Sequence, residues 1–302
     1  MAPTLNTLIV DTEEMIYGMS RVERPFESVV TLADATTTTM TVVADIWRQN
    51  DYAEIISATA GAVGEITILA ATPASTSATV RRAQRGTTGA AASALPARKN
   101  PLYPRVAIQR VIEEVIRNDL YPNVWLRTER TLSWTAGDYL YDLDAEDFDI
   151  LQMYQVIDDR LRPLPYGWWK VNPILSTTEA TSGKAIELHR LFDTSETVYY
   201  TAKTIPSPDD YSTITDRIAA LIPWGACARL LGGTRTGPFR YDPNRQSMPE
   251  VQAGGPAQDW RYFANAFALA REEERRTLRY EERHIRQDKF VRTNVGLRRL
   301  GV

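Results

Sequence analysis

One cysteine, Cys227, and two histidines, His189 and His284, are the whole supply of soft-metal and thiolate chemistry in 302 residues. A lone cysteine excludes an internal disulfide and fits a reducing compartment. Its apolar surroundings make it a buried, inert thiol rather than a nucleophile. No CxxC or HExxH spacing occurs, so no zinc site is written in the chain. GxSxG elbows and Walker loops are missing too, and RGTTG at 85–89 lacks the lysine a phosphate cradle needs. Carboxylates are so abundant that no pair stands out for acid–base work. Charge of one sign is also lacking: 35 Lys plus Arg against 38 Asp plus Glu leave a net charge of −3, which selects no class of partner. There is no run of 18 apolar residues and no basic segment followed by a hydrophobic one at the N-terminus. The expectation is a chain neither exported through a leader nor inserted in a membrane. These absences predict that the protein is not an enzyme and takes no cofactor and no metal.

A hydrophobic content of 43% and a charged content of 24% suit globular domains, and the length allows two or three of them. The stretch from Ser207 to Gly233 is the apolar centre on which the rest is arranged. Ser207 as N-cap, Pro208 at the first helical position and Asp209 and Asp210 in the first turn predict a helix start. Ile214, Ile218, Leu221, Ile222, Leu230 and Leu231 then keep a helical period. Pro223 predicts a kink within this helix, and Gly232 and Gly233 its end. Its predicted partners are Ile108, Val111, Ile112 and Val115, on one face of a helix running from Pro104 to Leu120 and ended by Tyr121 and Pro122.

Residues 1–24 form an N-terminal arm whose apolar spacing predicts a short amphipathic helix, docked on a later part of the chain or on a neighbouring subunit. From 25 to 100 the texture is Thr, Val, Ile and Ala in short runs broken by turns, a small β domain. Residues 126–203 switch to a period of two and predict six or seven strands, a β-sandwich or open barrel, with Trp134, Trp168 and Trp169 as core or rim aromatics. Residues 101–125 and 204–302 supply a helical bundle with a C-terminal tail. The predicted fold class is α+β: a helical bundle with an inserted β-sandwich or open barrel, plus the small N-terminal β domain.

Two charged regions stand out. Eight acids lie between Thr135 and Asp159 with no Lys or Arg among them, and Asp142, Asp144, Glu146, Asp147 and Asp149 form their densest run. They are expected on exposed loops or facing a channel. Beyond a polar connection at 234–255, Pro256 begins a long helix in which residues 271–283 hold five Arg and five Glu around Leu278. A charged helix of this kind projects from its own core and is completed by a neighbouring subunit.

Thr79 to Gly89 reads TVRRAQRGTTG, and with Glu65, Arg85, Gly86 and Thr87 it resembles a small β module of tailed-bacteriophage virion proteins. From residue 101 to 302 the order of elements is a helix ending in LYPNVW, a β insertion, the PDDYSTITDRIAALIPWGACARLL stretch, an Arg/Glu-rich helix and a basic tail. This order resembles the head-to-tail adaptor (connector) proteins of tailed phages. The resemblance implies a structural protein of the virion neck, assembled in the host cytoplasm, with no catalytic positions. It implies a ring of subunits, commonly twelve, that sits beneath the portal, extends the DNA channel and docks the tail. The implied partners are further copies of the chain, the portal protein, a tail or stopper protein, and genomic DNA passing through without specific binding; no membrane is involved. Lys289, Phe290, Val291, Arg292, Leu297, Arg298, Arg299 and Leu300 in the tail are the candidate portal contacts, and the last dozen residues, 291–302, are expected to be extended. Two rivals stand beside this reading: another neck or tail ring (stopper, tail terminator or baseplate component), and a carbohydrate-binding module for host recognition that stacks sugars on Trp134, Trp168 and Trp169.

Overall fold

The computed structural model describes residues 3–20, 22–43, 46–56, 64–73, 75–89, 92–132, 139–157, 160–172, 180–189, 197–208, 210–232 and 256–297. The fold is an α+β mix that contains a closed six-stranded barrel. The chain forms two compact units, Met1–Val115 with Ala219–Ala268, and Ile116–Ile218 with Leu269–Val302.

In the first unit, helix α1 (Leu5–Met19) starts where the Thr4 side chain accepts the Thr7 N–H, and it buries Leu8, Ile9 and Ile16. The barrel follows, from β1 (Phe26–Leu32), β2 (Thr39–Thr41), β3 (Tyr52–Ile55), β4 (Ile66–Leu69), β5 (Ser77–Arg81) and β6 (Ala92–Lys99), in the order β1-β2-β5-β4-β3-β6. Alternation drives it: in β5 only Ala78 and Val80 point inward, and they join Val30, Leu32, Met40, Trp47, Ala53 and Leu69 in one core. β6 closes the barrel by pairing with both β1 and β3. Helix α2 (Arg105–Glu114) then packs on α1 and on α4 (Ile222–Gly232). At Gly225 a Cβ would lie 2.9 Å from Val115 Cγ1 and 3.0 Å from Phe267 Cε2, so α4 approaches its neighbours through the absence of a side chain.

The stretch 207–231 is not the single kinked helix that its pattern predicts. It gives a 3₁₀ turn at Tyr211–Thr213 capped by Asp210, a one-turn helix α3 (Asp216–Ala219), and the separate α4, whose second residue is Pro223. Proline lacks an N–H and is tolerated in the first turn of a helix, so it begins α4 instead of bending a longer one. Asp209 lies outside the described residues.

A wider helical turn at Val115–Leu120 leads from the first unit into the second, after which come Tyr121 and Pro122, as predicted. Its first sheet holds β7 (Leu126–Leu132), β9 (Asp147–Ile157), β10 (Arg160–Pro163) and β13 (Thr197–Thr204) in the order β10-β9-β13-β7. Its second holds β8 (Leu140–Asp142), β11 (Trp169–Asn172) and β12 (Ala185–Leu188) in the order β11-β12-β8. Leu132, Ile150, Met153, Val198 and Tyr200 from the first sheet and Tyr141, Trp169, Ile186 and Leu188 from the second share one apolar cluster. Helix α5 (Pro256–Leu297) spans 42 residues, and its residues from Leu269 onward belong to this unit.

Candidate functional site

The acidic run of the second unit meets cations that lie far from it in sequence. Asp147 opens β9 with its carboxylate fully buried. Thr204, opposite it on β13, donates to it at 2.7 Å, and Arg130 on β7 reaches past β13 to give two hydrogen bonds of 2.8 and 3.2 Å. Asp144 joins the same guanidinium at 2.7 Å. Burial, together with the nearby Asp147 and Asp144 charges, raises the Tyr200 hydroxyl pKa well above its usual range. Asp149 pairs at 2.9 Å with Lys203, its cross-strand neighbour. Asp142 is exposed and accepts from the Ser182 hydroxyl at 2.7 Å and the Thr181 N–H at 2.9 Å, bonds that lower its pKa. Glu146 is exposed. The five candidate acids therefore do not form one exposed band: Asp147 is a buried counter-ion, because the pleat turns it inward beside Thr204 and Arg130. Asp138, Asp158 and Asp159 lie outside the described residues.

The charged part of α5 has two different faces. Toward its own unit it is engaged: Lys203 bonds Glu282 at 2.9 Å, Arg217 grips Glu274 at 2.8 Å and reaches Glu281 at 3.4 Å, and Arg271 donates to the Asp119 carbonyl at 2.8 Å. Leu278 is buried on that side. Leu269 lies nine residues earlier, about half a turn out of phase with Leu278 at 100° per residue, and is 73% exposed. Tyr280, eleven residues after Leu269 and so about three turns further along the same face, is 64% exposed. The sequence pattern had pointed to Leu278; the outer face was missed, although the eleven-residue spacing was its signal.

Of the tail candidates, Lys289, Phe290, Val291, Arg292 and Leu297 lie on the helical backbone of α5, not on an extended segment. No proline or glycine interrupts the chain from Ala257 to Val295, so helix propensity carries the backbone onward. Arg298, Arg299 and Leu300 lie outside the described residues.

Comparison with protein-family models, with curated proteins and with solved structures finds no match to this chain.

The arginine–glycine–threonine turn is held from within the first unit. Glu65, almost fully buried, binds Arg82 through two 2.6 Å hydrogen bonds and accepts the Ala83 N–H at 2.9 Å. Ala83, Arg85 and Gly86 have φ of 50, 57 and 78°, the left-handed region, and Thr87 Oγ1 locks the turn by accepting the Ile66 N–H and donating to the Gln84 carbonyl. Arg85 stacks on Tyr52, its guanidinium carbon 4.4 Å from the ring centre. Glu65 thus pairs with Arg82.

Cys227 is buried, its thiol 3.8 Å from the Thr12 carbonyl and pushed up to about 12 by desolvation. Trp169 belongs to the core cluster with Trp168 packed against it, and Trp134 lies outside the described residues. Among the described residues no three His, Cys, Asp or Glu side chains converge to hold a metal, and no helix is long and apolar enough to cross a membrane.

Proposed function

We propose that the protein is a structural virion component, a head-to-tail adaptor whose copies form a ring beneath the portal, extend the DNA channel and dock the tail. The observation that carries this reading is the outer face of α5. That helix spends its Glu274, Glu282, Arg271 and Leu278 on its own unit, yet leaves Leu269 and Tyr280 in water on the opposite face. A neighbouring copy would bury them. In this reading the two sheets with a common core are the inserted β-sandwich. Exposed Asp142, Asp144 and Glu146 suit a surface past which DNA slides without being retained, since like charge repels phosphate.

Native mass measurement of the full chain, alone and with its portal, tests the proposal. A ring that the portal promotes is expected, and Leu269→Glu with Tyr280→Glu should abolish it while the monomer melts as before. Deletion of 289–302 should keep the monomer folded and prevent its attachment to DNA-filled heads. A protein that stays monomeric with the portal present refutes the assignment. Trp169 in the core disfavours the sugar-binding rival, because a stacking platform must be open to solvent.

A further inference from the structure

A cluster of charges is buried where α1, α2 and the barrel meet. Glu13 of α1 receives Arg105 of α2 at 3.0 and 3.1 Å and also Arg98 of β6. On β6, Arg98 has buried Glu54 of β3 as its register partner on one side and, at the solvent edge of the cluster, exposed Glu27 of β1 on the other, with the Glu27 bond at 2.9 Å. Glu54 is fully buried, and its Oε1 accepts the Arg105 backbone N–H. Its Oε2 has no hydrogen-bond partner among the described residues. Tyr17 of α1 completes the surroundings: its half-buried hydroxyl donates to the Tyr103 carbonyl at 3.4 Å, and burial raises its pKa, so it is neutral.

With Glu54 ionised, one carboxylate oxygen lies in a dry interior without a donor, an arrangement that costs free energy. With Glu54 protonated, that buried charge and its desolvation cost are gone. We propose that Glu54 is a proton-operated latch: its proton closes the junction of α1 and α2 on the barrel, and loss of that proton loosens it. Burial, opposed by the Arg105 N–H and the Arg98 charge, lifts the Glu54 carboxyl from 4.5 to about 7, within the range where cells and their surroundings differ. The sign follows from the raised value. The closed form holds the proton longer than the open one, so closure is fully favoured below about 4.5, is lost as pH rises toward 7, and changes no further above it.

Residue-resolved hydrogen exchange of the full chain tests this. After correction for intrinsic exchange chemistry, protection of the Leu8–Ile16 amides should fall about tenfold per pH unit between pH 5 and 7, the slope of a single proton. In Glu54→Gln, which has the same shape and no charge, protection should be independent of pH in that window. Identical slopes in the two proteins would overturn the latch. The ¹³C carboxyl resonance of Glu54 in the unaltered protein gives a second readout that survives a variant that fails to fold: a midpoint near 7 supports the proposal, and one near 4.5 refutes it.

Discussion

Replacing Asp147 separates a buried counter-ion from an acidic surface. Its carboxylate is fully buried and takes hydrogen bonds from Arg130 and Thr204, whereas Asp144, on the same guanidinium, is 54% exposed. Removing one partner of a buried pair costs about 3–5 kcal/mol because the other charge is stranded. Here Arg130 is 28% exposed and keeps Asp144 at 2.7 Å, so it is only half stranded and the cost of Asp147→Ala falls near about 3 kcal/mol. Asp144→Ala removes a solvated pair and should cost at most about 1 kcal/mol. Exchange of the slowest β13 amides, between Val198 and Thr204, reads both values within the unit concerned. Leucine at both Arg130 and Asp147 should recover much of the loss, since no buried charge is then left alone. Equal costs for the two aspartates, or a double replacement worse than Asp147→Ala, would show that this reasoning is mistaken.

Gly225→Ala adds a methyl 2.9 Å from Val115 and 3.0 Å from Phe267, so overpacking of about 1–3 kcal/mol should outweigh the roughly 1 kcal/mol gained in helix propensity; a denaturant midpoint above that of the parent would contradict the close approach. Cys227 should resist a water-soluble disulfide reagent at pH 8 in the native protein and react at once in denaturant, because burial holds the thiol near 12; fast native labelling would place it at the surface. Glu65→Ala removes the buried carboxylate paired with Arg82, 8% exposed, and should destabilise the first unit by about 3 kcal/mol or more, while Arg85→Ala, which removes the stacking on Tyr52, should cost about 1 kcal/mol in thermal or denaturant unfolding.

Local patterns announced local structure. The 3.6-residue period marked α1, α2 and α5, the period of two marked the strands of 126–203, and short Thr, Val, Ile and Ala runs broken by turns marked those of 25–100, because each signal lies within a few residues of the feature it specifies. What the sequence hid depends on distant pairings. Arg130 and Lys203 neutralise Asp147 and Asp149 only once β13 has brought β7 and β9 alongside, so the acidic run looked unpaired in the linear chain. Closure of the barrel is likewise a property of β6 meeting both β1 and β3. Pro223 was ambiguous for a different reason: the same missing N–H that kinks a helix interior suits a first turn, and only the chain before it, broken at α3, decides between them. The Glu54 cluster draws on five elements, and no spacing within any one of them hints at it.

The pairing of Phe26 with Lys99 places the entrance and the exit of the barrel side by side. To the helices that flank it, the whole barrel is one connection of almost no span: α1 and α2 are joined as if by a tight hairpin, with a folded body hung on the bend. A connection whose ends already touch costs little chain entropy whatever it contains. The barrel could therefore be excised and its flanks joined by a short glycine linker, leaving α1 and α2 as neighbours, and the same gap would accept an unrelated module with adjacent termini.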